Sequence, residues 1–233
     1  MKTDLLLFDE FTPIGTDYTD VDEVAVYDER MSNLRDPQSQ AREILDLLTV
    51  NEYKLLVEFG PGTGAFAIEA VRKFESVIAV DTSATMLDYA RQKAQVQNIN
   101  NITFVNAGFL SYQHHYEPAD AIVTNLTLHH LPDAWKFVAF RKMAQILKPG
   151  GKLFLGDVIF SFPVDEFEYH THHFVESIKE MAGPDLAAET ETHICREFST
   201  FDWIIEGMLE RVGFSVEILG KEPTFARYLC IKK

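Results

Sequence analysis

The sequence predicts an α/β fold: a mostly parallel, seven-stranded sheet with helices on both faces and an antiparallel last strand. Three observations predict it. Between Lys54 and Phe160, apolar runs of strand length alternate with segments of helical period. A glycine-rich turn joins the first of those strands to the helix after it. Near the C-terminus, two further strand-like runs are separated only by Gly220-Lys221-Glu222-Pro223, too short a link for a parallel crossover.

Each element has a local signal. Residues 1–35 are acidic (Asp17, Asp20, Asp22, Glu23, Asp28, Glu29) and read as irregular. Asp36-Pro37 reads as an N-cap followed by proline in the first turn, and Ala41, Ile44, Leu45 and Leu48 keep helical spacing to about residue 49. Lys54–Phe59 is the first strand, with a helix from the glycine turn to about Phe74. Val77–Val80 is the second strand and ends in Asp81; Met86, Leu87, Ala90 and Ala94 mark the next helix. Ile102–Val105 and Ala121–Thr124 are strands three and four. A helix over 134–147 stops at Lys148-Pro149-Gly150-Gly151, and Leu153–Phe160 is strand five. Ser199 and Asp202 resemble a capping box for a helix reaching Val212, followed by strands Ser215–Leu219 and Phe225–Ile231. The stretch 161–198, rich in His, Glu and aromatics, fits neither pattern and reads as a cap over the carboxyl edge of the sheet, where open α/β folds bind ligands.

Composition narrows the function. The 233 residues carry 36 acidic against 21 basic side chains, a net charge of −15. The longest Lys/Arg runs are pairs such as Arg141-Lys142. A nucleic-acid partner and an anionic membrane surface are therefore disfavoured, since both need clustered basic charge. Cys195 and Cys230 form neither a metal spacing nor a disulfide framework, which fits a reducing cytoplasm. The apolar run Leu5–Phe8 is too short for a signal-peptide core, and no later stretch is long enough to span a bilayer.

The chemistry concentrates at Glu58-Phe59-Gly60-Pro61-Gly62-Thr63-Gly64. Glycines there allow a tight turn and a close backbone approach to a ligand, and the next helix offers free N–H groups. Asp81, at the end of the second strand, can accept hydrogen bonds from both hydroxyls of a ribose. Together they describe an adenosine-type nucleoside site. Gly60-x-Gly62-x-x-Ala65 also satisfies the dinucleotide fingerprint. Glu58 argues for the other reading, because a carboxylate repels a pyrophosphate and attracts the ammonium of a methionine-type ligand.

These residues resemble the first motif, E/D-x-G-x-G-x-G, of the class I S-adenosylmethionine (SAM)-dependent methyltransferases. Asp81, Ala107-Gly108-Phe109-Leu110, Asn125-Leu126-Thr127-Leu128-His129-His130-Leu131 and Leu147-Lys148-Pro149-Gly150-Gly151 are similar to that family in the same order, over about residues 40–160. The resemblance implies a Rossmann-like domain at 37–233, with 1–36 as an N-terminal cap segment and 161–198 as a lid or substrate-binding insertion. It implies SAM as cofactor, with Gly60, Gly62 and Gly64 along its methionine part, Glu58 toward its amino group, and Asp81 on the ribose. Thr82, Met86, Gly108 and Phe109 would lie near the adenosine, and Asn125 near the methionine part. The family often carries an acidic residue where Ala107-Gly108 stands, so an adenine partner is missing from the motif. The stretch 125–133 is similar to members acting on small molecules. The reading is methyl transfer to a small-molecule acceptor, with a SAM-binding protein lacking transferase activity and an NAD-dependent oxidoreductase as alternatives.

His129 and His130, after the fourth strand, are candidates for proton transfer or substrate contact, or else pack the next helix. If 165–181 is helical, Glu166, His170 and His173 share one face, as a pocket wall, a ligand set or a solvated surface. His170 and His173 are taken as candidate substrate contacts, and no metal site is assigned. Tyr18 and Tyr27 are candidates for closing the pocket from the N-terminal side.

Overall fold

A computed structural model describes residues 7–32, 34 and 36–233. Residues 1–6, 33 and 35, which belong to the expected N-terminal cap segment, lie outside the described residues. Strands β1 (Leu55–Phe59), β2 (Ser76–Asp81), β3 (Ile102–Asn106), β4 (Ala119–Asn125), β5 (Leu147–Asp157), β8 (Phe214–Glu222) and β9 (Phe225–Lys232) form one sheet. Its order is β3-β2-β1-β4-β5-β9-β8. The pairs from β3 to β5 are parallel, and β9 runs antiparallel to both β5 and β8. The last strand alone is reversed, as its short connection requires. Helices are α1 (Val21–Ser32), α2 (Pro37–Leu47), α3 (Ala65–Ala70), α4 (Ala84–Val96), α5 (Asp133–Ile146), α6 (Phe167–Ala182), α7 (Pro184–Arg196) and α8 (Asp202–Arg211). None among the described residues is long and apolar enough to cross a membrane.

Alternation along the strands splits the core in two. Leu55, Val57 and Phe59 pack with Phe140, Met143 and Leu209 of α5 and α8. Leu56, Val77 and Val123 face the other way, onto Ile44 and Leu45 of α2 and Phe66 and Ala67 of α3. Both faces are covered, so polar function is confined to the strand ends.

Four local expectations change. Residues 21–32 are helical rather than irregular. The acidic run that masked this places Asp22 and Glu23 in the first turn and Arg30 in the last, which complements the helix dipole, while Val24 is buried. Strand β5 starts at Leu147, so Lys148–Gly151 is a bulge inside the strand, with a register shift opposite Ala119–Ala121. Strand five also ends early, at Asp157; Ile159–Phe160 (β6) leaves the sheet to pair in parallel with Thr200–Phe201 (β7). That pairing removes the expected capping box: α8 starts at Asp202 after Phe201, without a side-chain cap, and Ser199 Oγ instead meets His193 Nε2 at 2.9 Å. The region 161–198 is mostly two helices, α6 and α7.

The expected cap of α2 is present: Asp36 accepts from the N–H groups of Gln38 and Ser39 at 3.0 and 3.1 Å. Asp36→Ala is expected to lower stability in urea unfolding by about 1 kcal/mol, the usual worth of such a cap.

Candidate active site

The carboxyl ends of β1, β2, β4 and β5 open into a cavity of about 340 Å3. Helices α1, α6 and α7 wall its outer side through Tyr27, Met31, Phe174, Ile178 and His193. A smaller cavity of about 100 Å3 adjoins it and shares Gly60, Asp81, Thr82 and Ser83. Phe8, Glu10 and Phe11 of the N-terminal segment close this second space against Ala107, Gly108 and Phe109.

The glycine turn is built for exposure of backbone and for close packing. All three glycines have positive φ. Gly62 has only the Tyr27 ring near its missing side chain, at 3.9 Å, so its backbone faces the cavity. Gly64 does not line either cavity; a Cβ there would meet the Ala90 Cβ at 2.8 Å, and its role is to let α4 approach the turn.

Glu58 is buried at the cavity wall, and its Oε2 has no hydrogen-bond partner. Burial, aided by the charge of Asp81, pushes its carboxyl up to about 8. Asn125 Oδ1, on the same cavity, is a second buried acceptor without a partner. Two orphaned acceptors in one cavity suit a ligand that brings N–H donors and positive charge. Asp81 accepts from Ser83 N–H at 2.9 Å and from Gly62 N–H at 3.3 Å. Burial raises it to about 6 despite those bonds.

Thr82 lines both cavities, and Met86 lines the larger one. Gly108 and Phe109 line the smaller one, where the Phe109 ring stacks on Phe59 at 5.0 Å. A Cβ on Gly108 would meet the Glu10 carboxyl carbon at 2.4 Å. Glu10 accepts from the N–H groups of Leu110 and Ser111 at 2.9 and 2.7 Å. The N-terminal segment thus brings a carboxylate to the place where the local motif has none. Sequence reading missed Glu10, because the pairing spans about a hundred positions and has no spacing signature.

At the other end of the larger cavity lies an ionic cluster. Asp157, buried at the end of β5, accepts from His129 Nδ1 at 2.5 Å and from the His129 N–H at 3.1 Å. It also accepts from Val158 N–H at 2.8 Å. Glu197 Oε2 faces His193 Nδ1 at 2.5 Å, His129 Nε2 at 3.3 Å and His130 Nδ1 at 3.9 Å. Burial opposes charge on His129, but Asp157 and Glu197 outweigh it and hold its pKa above the usual value. Burial, then the neighbouring His129, pushes His130 down to about 4. The fold delivers Glu197 by anchoring the chain after α7: Phe198 N–H donates to the His129 carbonyl at 2.8 Å, and Thr200 Oγ1 donates to Asp133 at 2.9 Å.

The N-terminal aromatics converge as well. Tyr18 and Tyr27 both line the larger cavity and meet edge-to-face at 5.8 Å. Arg30 ties α1 to Glu189 of α7 at 2.6 Å. His170 and His173 do line the helical face expected, but not the cavity: His170 stacks on Phe162 and pairs with Glu166, and His173 stacks on Tyr169. The histidine of this segment that reaches the cavity is His193.

Residues 56–151 match the family model described as a methyltransferase domain. An uncharacterized methyltransferase of Geobacillus kaustophilus is 29% identical over 81% of this chain and 80% of its own length. One of Anoxybacillus flavithermus is 28% identical over 74% of this chain and 75% of its own length. Residues 56–151 of this chain carry a methyltransferase domain. A solved SAM-dependent methyltransferase from Aquifex aeolicus shares its fold at a TM-score of 0.64, with 16% identity over 92% of this chain and 99% of that one. Phosphoethanolamine N-methyltransferase 2 of Haemonchus contortus, solved with SAM, superposes at 0.69, with 15% identity over 91% of this chain and 57% of that one.

The charge state of Glu58 gives the protein a pH signature. Its pKa is about 8 in the ligand-free fold against 4.5 for the ordinary group. Between those values the fold binds a proton that the unfolded chain releases, so this group's contribution to stability falls as pH rises through the window. Glu58→Gln removes the effect. Its melting temperature relative to wild type is expected to rise by several degrees from pH 5 to pH 9, read by differential scanning calorimetry. A difference that stays flat would contradict a buried Glu58 whose Oε2 lacks a partner.

Proposed function

We propose that this methyltransferase transfers the methyl group of SAM to a small molecule held in the larger cavity. The observation that carries the proposal is the joining, in one enclosed space, of the Glu58–Asp81 wall with the His129–His130–Glu197 cluster under α1, α6 and α7. A pocket of this size is in the range of small-ligand sites.

SAM, when bound, supplies a methyl carbon activated by a sulfonium. Glu58 and the Asn125 carboxamide oxygen hold the ammonium of its amino-acid end, which satisfies both orphaned acceptors. Asp81 accepts from the ribose hydroxyls, and Gly60 and Gly62 offer backbone along the chain between. Thr82, Met86, Gly108 and Phe109 enclose the adenine, with Glu10 as its acidic neighbour. Gly64 supports the turn from behind. Tyr18 and Tyr27 close the cavity and exclude water. His129 and His130 stand on the acceptor side, where they position the reacting atom and handle its proton. The carboxylates around them favour a neutral or cationic acceptor. His170 and His173 are given no part.

The two unsatisfied acceptors, on Glu58 and Asn125, argue against a dinucleotide pyrophosphate and so against the oxidoreductase reading. The free cysteines, Cys195 exposed and Cys230 buried, are consistent with a cytoplasmic enzyme.

Asp81→Ala is expected to weaken SAM binding by roughly 10- to 100-fold in calorimetric titration, the worth of hydrogen bonds to a charged group. For the acceptor, the chain is incubated with methyl-labelled SAM and a cell extract, then separated into small-molecule filtrate and macromolecular retentate. Label in a filtrate compound that separates from SAM itself supports the proposal. Label confined to protein or nucleic acid in the retentate overturns it.

A further inference from the structure

The contacts of Glu197 leave a question of charge. Asp157 is a buried carboxylate that accepts only, so the proton in its 2.5 Å contact with His129 belongs to Nδ1. In its neutral form the ring then presents a lone pair at Nε2, which faces Glu197 Oε2 at 3.3 Å. His130 Nδ1 faces the same oxygen at 3.9 Å, beyond hydrogen-bond reach. Glu197 Oε2 is shielded from solvent, and the nitrogen nearest to it is His193 Nδ1 at 2.5 Å. His193 donates to this carboxylate from one side, and on the other side the nitrogens of His129 and His130 converge with it on one spot that a cation would fill.

The geometry points to a divalent transition-metal site formed by His129 Nε2, His130 Nδ1 and a Glu197 carboxylate oxygen, with its open positions toward the acceptor cavity. The three ligand atoms lie within 4.8 Å of one another. Tetrahedral ligands bound at 2.0–2.1 Å stand roughly 3.3 Å apart, the spacing His129 and Glu197 already hold. His130 is partly exposed, and a rotation of its ring closes the third side. Two imidazoles and one carboxylate suit Zn2+, Co2+ or Fe2+ over Mg2+ or Ca2+, which take oxygen ligands.

The surrounding groups match what such a site requires. A carboxylate on the non-ligating nitrogen fixes a metal-binding histidine in its tautomer, and Asp157 does this to His129. His193, at 2.5 Å, fixes Glu197, and is itself held by Ser199. The ion would bind an acceptor through an oxygen or nitrogen lone pair and make a bound hydroxyl more acidic. That use rests on the cavity taking the acceptor, as proposed above; ion binding itself does not depend on SAM.

The test uses the full chain, stripped with chelator and titrated with Zn2+ and Co2+ by calorimetry, with visible absorption for Co2+. One ion per chain is expected, with a Co2+ ligand-field spectrum. Glu197→Gln and His130→Ala should each weaken binding by about 100-fold and Asp157→Asn by about 10-fold, with circular dichroism reporting the fold. His170→Ala and His173→Ala should leave binding unchanged. Failure of the wild type to bind either ion would overturn the inference and make the His129–Glu197 contact an imidazolium–carboxylate pair. Binding that survives both Glu197→Gln and His130→Ala would overturn it equally. S-adenosylhomocysteine is titrated in parallel: loss of that binding alone would remove the cofactor assignment and leave the metal site standing.

Discussion

Carboxyl groups enclosed at the carboxyl edge of the sheet are the constraint around which this molecule is organised. Glu58 stands one residue before the end of β1, Asp81 ends β2 and Asp157 ends β5, and each is enclosed where a bare carboxylate is costly. The three are answered differently. Asp157 is paired within the protein, by an imidazole and two backbone N–H groups. Asp81 is partly satisfied, by the turn and by Ser83. Glu58 keeps an oxygen without a partner. This gradient from satisfied to unsatisfied follows the proposed division between groups that hold the fold and groups that take a ligand.

The elements added to the sheet complete the edge. The N-terminal segment contributes Glu10 to one cavity and Tyr18 and Tyr27 to the other, and it is pinned by Asp28, which meets Lys93 at 2.6 Å and Thr63 at 2.5 Å. Helices α6 and α7 cover the opposite side. Departure of the chain from the sheet after Asp157, and the β6–β7 pairing that follows, turn the end of α7 back toward His129. One backbone bond, from Phe198 to His129, brings together residues that lie far apart in the chain.

How far the sequence could be read follows from this construction. The parallel sheet, the reversed last strand, the Asp36-Pro37 cap, the glycine turn and Asp81 all carry their signals within a few residues. Proline, glycine and alternation are local physics. Helix α1 escaped because acidic residues on its outer turns hid the single buried Val24. The pairing of β6 with β7 escaped because two-residue strands have no periodicity. The approach of Glu10 to Gly108, and of Glu197 and His193 to His129, depends on tertiary packing alone. The histidine spacing along α6 was real, yet rotation of that helix turned His170 and His173 onto aromatic neighbours and left the cavity to Phe174 and Ile178.

The central claim is that Glu58 waits for an ammonium. Calorimetric titration with S-adenosylhomocysteine and with methylthioadenosine, which lacks the amino-acid end, tests it most directly in wild type and Glu58→Gln. The account predicts that wild type strongly prefers S-adenosylhomocysteine and that the substitution removes most of this preference while leaving methylthioadenosine binding intact. An undiminished preference in Glu58→Gln would contradict it.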